Sequence, residues 1–155
     1  QEELTVQDGH MGPYTQRLDT DCGDFIVRRS DGVWAYQLAV VVDDAMMGVN
    51  HVVRGCDLLS SSPAQAWLHR TLGYEPPQFY HLPLLVDAQG RRLSKRDRDL
   101  DMGVLRAKYT PQELVGWLGW LAGVQKEPKS ATPHQLISSF QWSKVPKNPI
   151  LVGST

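Results

Sequence analysis

Val33-Trp34-Ala35-Tyr36-Gln37-Leu38-Ala39-Val40-Val41-Val42-Asp43-Asp44 is the stretch on which the reading of this chain turns. It ends in a continuous apolar run, Leu38–Val42, and stops at two carboxylates. Such a run suits a strand buried on both faces of an α/β sheet, so Val33–Val42 is expected as the strongest strand. Two shorter strands follow, Asn50–Val53 and His81–Val86, with a helix opening at Ser62 between them. Val33–Asp43, His51–Arg54 and His81–Val86 are therefore expected as neighbours in one mostly parallel sheet, joined by right-handed crossovers. Upstream, Leu4–Val6 reads as a strand before a turn running from Asp8-Gly9 to Gly12-Pro13. Asp24–Arg29 is rich in β formers, and Ser30-Asp31-Gly32 reads as a turn.

Three helix starts share one device. Ser62-Pro63-Ala64-Gln65, Thr110-Pro111-Gln112-Glu113 and Thr132-Pro133-His134-Gln135 each offer a hydroxyl at the N-cap, Pro in the first turn, and Gln or Glu to reach back to the cap. Leu114, Trp117, Leu118 and Leu121 then recur at helical spacing, as do Leu136, Ile137 and Phe140. Pro146–Thr155 reads as extended. The result is an α/β unit followed by a helical appendage, with segments expected at 1–30 (β-rich), 31–100 (α/β) and 101–155 (helical).

The chain has 155 residues and a net charge of −1, enough for one sizeable core but too evenly charged for a strongly basic nucleic-acid binder. Any RNA contact has to come from a local patch. Cys22 and Cys56 form neither a metal pattern nor a disulfide framework, which suits a reducing cytoplasm. Leu38–Val42, the longest apolar run, is too short to span a bilayer, and the acidic Gln1-Glu2-Glu3 stretch, with no apolar run behind it, is not expected to act as a signal peptide.

The loop from Asp87 through Gly90 to Arg98 concentrates Arg91, Arg92, Lys95, Arg96 and Arg98. A loop beyond a strand end of an α/β sheet is where ligands bind, and Ser94-Lys95 there can contact a phosphate. On composition alone a solvated basic loop is the simpler reading. With few apolar anchors, Arg91–Arg98 is expected to open easily when no ligand holds it. Asp43-Asp44 lies at a strand end but reads equally as a cap or turn. Tyr36 can be a site residue or a packing aromatic. Arg54, at the end of a short apolar strand, can clamp a carboxylate bidentately or pair with a structural acid. His51, His69 and His81 have no ligand spacing and read as structural or surface histidines.

Five stretches, in order, are similar to the class I glutamyl and glutaminyl tRNA synthetase family. They are Gly23–Gly32, Ala35–Asp44, His51-Val52-Val53-Arg54-Gly55-Cys56-Asp57-Leu58-Leu59, His81-Leu82-Pro83-Leu84-Leu85, and Arg92-Leu93-Ser94-Lys95-Arg96. The last resembles the family's KMSKS signature. A looser likeness runs through Trp117, Leu118 and Leu121 to Pro146. Gln37, and Asp97 after the signature, favour the glutamyl-queuosine branch. The resemblance implies the second half of a Rossmann-like class I catalytic domain, with a short β-rich N-terminal segment and a helical C-terminal appendage. It implies an ATP-dependent ligase, with Mg expected beside ATP. Glutamate would be activated and transferred to tRNA, in this branch to the queuosine of tRNA(Asp).

By position the resemblance assigns Tyr36, Arg54 and Asp57 to substrate, and Leu84, Leu85, Arg92, Leu93, Ser94, Lys95 and Arg96 to ATP. Ser94 and Lys95 take the catalytic role on a closing loop, where Lys neutralises charge on departing pyrophosphate. There are departures. No HIGH motif is present, since His10-Met11-Gly12 neither follows a buried strand nor opens a helix. The branch's four-ligand zinc cluster is missing, so no zinc site is expected in this chain. Arg92-Leu93 replaces Lys-Met, and Cys56 stands where Glu is common. Three functions follow: a ligase inactive or nearly so as this chain alone, a non-catalytic tRNA- or partner-binding module, or one chain of a split synthetase.

Overall fold

Leu4, Val6 and Asp8 point inward from strand β1 (Glu3–Asp8), while Glu3, Thr5 and Gln7 face solvent. This is the period-2 pattern of a half-buried strand. The structure is a computed structural model and describes residues 3–93 and 102–152. It divides into two compact units, Gln1–Leu82 and Pro83–Thr155.

In the first unit β1 pairs antiparallel with β2 (Gly12–Arg17), from Glu3↔Arg17 to Asp8↔Gly12. At the hairpin tip the Gly9 N–H donates to the Phe79 carbonyl at 2.8 Å. A Cβ on Gly9 would lie 2.1 Å from the Tyr80 ring, so the tip can approach this closely only because residue 9 has no side chain. A π-helical turn follows at Leu18–Cys22. Residues 24–35 form no strand; a single antiparallel bridge joins Arg28 to Trp34 around the expected Ser30–Gly32 turn.

The expected strand at Val33–Val42 is instead a helix, α1 (Tyr36–Met46). An apolar run of this length fits a helix packed on its neighbours as well as a strand. Val41, 1% exposed, is its buried anchor, and α1 packs against α2 (Ser62–Thr71). Burial outweighs the weak helix propensity of Val40–Val42. Asp43 and Asp44 therefore sit near the C-terminal end of a helix and not beyond a strand.

The parallel pair is β3 (His51–Gly55) with β4 (Gln78–Leu82), in register His51↔Gln78 through Gly55↔Leu82. A 3₁₀ turn (Cys56–Ser61) and α2 make the crossover. The expected strand His81–Val86 is split: β4 ends at Leu82, and Leu85–Val86 form the separate strand β5. Pro83, with no N–H to give a ladder, stands between them. The core gathers Leu4, Val6, Ala66 and Phe79, with Leu18, Val52 and Trp67 against it.

In the second unit β5 pairs parallel with β6, two residues (Ile150–Leu151) of the expected extended tail. Helix α3 (Met102–Lys108), for which the sequence reading named no start, precedes α4 (Pro111–Leu121) and α5 (Pro133–Ile137), which open at the expected Thr110 and Thr132. Both anticipated capping boxes of this unit form. Thr110 Oγ1 accepts from the Glu113 N–H at 3.3 Å, and the Glu113 carboxylate accepts from the Thr110 N–H at 2.8 Å. Thr132 and Gln135 repeat the arrangement. Gly116 lets residues 129–130 lie on α4; a Cβ there would be 1.9 Å from the Lys129 carbonyl oxygen.

Candidate substrate site in the first unit

The third helix start behaves differently. Ser62 is the first residue of α2; Ser61, the N-cap, makes no side-chain cap bond. The side chains of Ser62 and Gln65 turn instead to Arg54. Arg54 Nη2 donates to Ser62 Oγ at 2.9 Å and to the Leu58 carbonyl at 3.3 Å. Its Nη1 donates to Gln65 Oε1 at 2.8 Å, and its Nε to His81 Nε2 at 3.0 Å. The Arg54 guanidinium carbon lies 5.0 Å from the centre of the Phe79 ring, a cation–π contact. Gln65 passes the network on, donating to Gln37 Oε1 at 2.7 Å, and Gln37 donates to Ser61 Oγ at 3.2 Å.

On its other side His81, fully buried, meets Asp8: Nδ1 is 2.5 Å from Asp8 Oδ2. Asp8 Oδ1 accepts from the backbone N–H of Met11 at 2.7 Å, of His10 at 3.0 Å and of His81 at 3.3 Å. Burial alone would raise the Asp8 pKa, but bonds from Met11, His81 and His10 outweigh it and hold the carboxyl below its ordinary 3.8. Burial pushes His81 below its ordinary 6.5 despite the Asp8 carboxylate. Burial also lowers Arg54, while Tyr36, Asp44 and Asp8 pull it back.

A guanidinium has five N–H groups, and Arg54 makes four hydrogen bonds to this shell. The Tyr36 hydroxyl, on the exposed first residue of α1, also lies within hydrogen-bonding reach of Arg54. The structure thus brings Tyr36 and Arg54 together. Asp57, exposed in the 3₁₀ turn, is close enough to bear electrostatically on His81. Arg54's hydrogen-bond partners in this shell are a histidine, a serine, a glutamine and a carbonyl, while Asp44 and Asp8 act on it electrostatically.

Leu84, Leu85, Arg92 and Leu93 lie in the second unit. The Leu84 carbonyl accepts from Ile150 N–H at 2.9 Å and the Leu85 carbonyl from Leu93 N–H at 3.0 Å. Arg92 bridges to Val86 across a tight turn, where Asp87 accepts from the N–H groups of Gln89 and Arg91 and pairs with the Arg91 side chain. Gly90, at φ 77°, takes the left-handed position of that turn. Ser94, Lys95, Arg96 and Asp97 lie outside the described residues, as does most of the expected mobile loop.

Sequence reasoning missed Asp8, Ser62, Gln65 and Gln37 as parts of one network, and placed His81 only as a structural or surface histidine. One signal was available: Asp8 is in phase with Leu4 and Val6, so the strand pattern itself points a carboxylate inward. A separate cleft of about 720 Å³ lies between the Leu18–Cys22 turn and Trp67 of α2. Asp19 and Asp24 line it and no cation does, so it is ill suited to a carboxylate or phosphate. Among the described residues no three His, Cys, Asp or Glu side chains converge as a metal site. No helix there is long and apolar enough to cross a membrane.

Residues 4–152 match the family model of class I tRNA synthetases (E and Q), catalytic domain. The chain belongs to this family. Curated relatives include the glutamyl-Q tRNA(Asp) synthetase of Symbiobacterium thermophilum, 46% identical over 97% of this chain and 47% of the relative. That of Nitratidesulfovibrio vulgaris is 44% identical over 96% of this chain and 46% of its own. The chain thus spans about half the length of these relatives. A glutamate tRNA ligase from Elizabethkingia meningosepticum, solved in complex with its amino acid, superposes with a TM-score of 0.80 at 25% identity. That match covers 97% of this chain and 34% of the ligase, which supports the expected α/β, Rossmann-like class I fold.

Proposed function

We propose that this chain is part of an ATP-dependent ligase that activates glutamate and transfers it to tRNA, most like the branch acting on the queuosine of tRNA(Asp). The observation that carries the reading is the state of Arg54. It is a half-buried cation fixed by four hydrogen bonds, with Tyr36 beside it. A fork-on-fork grip of a carboxylate would have to undo one of those bonds. The fifth N–H of Arg54 faces the Tyr36 hydroxyl, so a carboxylate would displace that hydroxyl there and take its second contact from it. Asp57, close enough to act electrostatically on His81, is assigned by the resemblance to the substrate. The names of the curated relatives and of the solved glutamate ligase point to the same substrate class.

Leu84, Leu85, Arg92 and Leu93, with Ser94, Lys95 and Arg96, are assigned to ATP. Adenylate formation is attack of the glutamate α-carboxylate on the α-phosphate, with pyrophosphate leaving. Lys95, with Ser94, would neutralise the charge gathering on pyrophosphate. Mg²⁺ would arrive with the ATP phosphates, as this ion usually does. A cytoplasmic location accords with this reading. Because no HIGH motif is present in its sequence, the 155-residue chain assayed alone is expected to form adenylate slowly at best. Positioning of reactants can contribute about 7–11 kcal/mol of a barrier.

The test is ATP–pyrophosphate exchange with glutamate, run on this chain and on this chain supplied with the HIGH-containing part of a relative. In the complemented system Lys95→Ala lowers the exchange rate more than glutamate affinity, and Arg54→Ala weakens glutamate capture. Robust exchange by the chain alone overturns the claim of dependence. No exchange in the complemented system, with any amino acid tried, favours a non-catalytic module.

A further inference from the structure

The hairpin residue Asp8 lies far in sequence from the candidate substrate residues and is absent from every motif quoted for the family. Its placement nevertheless controls what Arg54 can do. A carboxylate only accepts hydrogen bonds and a guanidinium only donates them. With Asp8 Oδ2 at Nδ1 and Arg54 Nε at Nε2, the His81 imidazole has one consistent state: proton on Nδ1, bare lone pair on Nε2. The other tautomer, or the imidazolium, would aim an N–H at the Arg54 N–H.

We propose that Asp8 and His81 are positioning residues that fix the tautomer of one imidazole and, through it, the orientation of Arg54 toward an incoming carboxylate. This rests on the reading of Arg54 as the carboxylate ligand. The groups facing His81 are Asp8 from β1, Arg54 from β3, Asp57 from the 3₁₀ turn and Ser62 from α2, whose hydroxyl is 3.4 Å from Nε2. Of these, Asp8 meets Nδ1. Its other oxygen accepts from the N–H groups of His10 and Met11 at the hairpin tip and from that of His81 on β4. One carboxylate therefore ties the fold of the β1–β2 tip to the setting of a side chain on β3.

The decisive variant is Asp8→Asn. The amide oxygen is retained by the three backbone donors, so the amide NH₂ faces His81 Nδ1 and drives the ring proton to Nε2, against Arg54. Nitrogen-15 spectra of this chain read the ring tautomer and the hydrogen exchange of the Arg54 Nε–H, and shifts on adding millimolar L-glutamate read affinity. The wild type is expected to show a neutral His81 protonated at Nδ1 and a protected Arg54 Nε–H. In Asp8→Asn the tautomer flips, the Arg54 signal loses protection, and the glutamate Kd rises by about tenfold, the loss of one charged hydrogen bond. A wild-type proton on Nε2 overturns the proposal. So does a flipped tautomer that leaves Arg54 or the glutamate Kd unmoved. Should Asp8→Asn not fold, acid titration of the wild type replaces it: Arg54 must lose protection in the step in which His81 gains its second proton, and an unchanged Arg54 signal there overturns the proposal. A dyad that behaves as expected in a chain without glutamate-dependent shifts sinks the glutamate reading alone.

Discussion

Ser62-Pro63-Ala64-Gln65 in the first unit and Thr110-Pro111-Gln112-Glu113 in the second are nearly the same local sequence, yet their side chains go to different partners. Thr110 and Glu113 satisfy each other's backbone N–H groups at an exposed helix end. Ser62 and Gln65 are buried and give their polar atoms to Arg54. The difference lies in what faces each helix start. A half-buried cation needs protein acceptors where water cannot reach it, whereas an exposed N-terminus can fall back on solvent. One local motif thus serves folding in one unit and a candidate site in the other.

The comparison breaks most visibly at Arg54. Arg54→Met removes the group around which Ser62, Gln65 and His81 are arranged and leaves buried acceptors without a donor. A loss of about 2–4 kcal/mol in unfolding free energy is expected, read as a lower urea midpoint, together with loss of glutamate-dependent shifts. An unchanged midpoint would mean that the shell does not depend on the cation.

Acid probes the same region more gently. The pKa of His81 is lowered in the folded chain, so below its ordinary 6.5 the unfolded chain takes up a proton that the folded chain refuses. Stability is therefore full above that value and falls as pH drops toward the depressed folded value. Asp8, also lowered, adds a loss of the same sign below its ordinary 3.8. Buried His69, lowered chiefly by burial, contributes in the same window as His81. The urea midpoint should fall between about pH 7.5 and about pH 5.5, and His81→Gln should flatten that slope by the His81 share. A midpoint that rises with acid would contradict the assigned states.

Ser62→Ala separates the two uses of the motif. Arg54 then loses a buried acceptor and keeps Gln65, His81 and the Leu58 carbonyl, for a cost of about 1–2 kcal/mol and a weakened hold on Arg54. A cost confined to helicity, with glutamate binding intact, would leave Ser62 an ordinary residue of the first helical turn.

Much of this was legible in the sequence. The strands at His51 and Leu4, the turn at Ser30–Gly32, and the starts of α4 and α5 were read from local chemistry, and local chemistry is what forms them. The family was legible because its motifs are long and ordered. Val33–Val42 misled, because an unbroken apolar run reports burial and not period. The Asp8–His81–Arg54–Gln65 network was not legible, because its members sit at positions 8, 54, 65 and 81 and meet only through the tertiary fold. Pairwise they show no spacing, and only the inward phase of Asp8 hinted at them.

The smallest effect is expected at Thr110, and it sharpens the comparison from the other side. Thr110→Ala removes the acceptor for the Glu113 N–H and leaves the Glu113 carboxylate still accepting from the Thr110 backbone. Both residues are exposed, so water can replace the lost hydroxyl. A typical cap loss of about 1 kcal/mol follows, and Thr110→Ser should restore it, since serine supplies the same oxygen. Glutamate-dependent shifts and the Arg54 Nε–H signal should stay as in the wild type. If Thr110→Ala instead released Arg54 as Ser62→Ala does, the two helix starts would share one function, and the distinction between a cap and a site shell would fail.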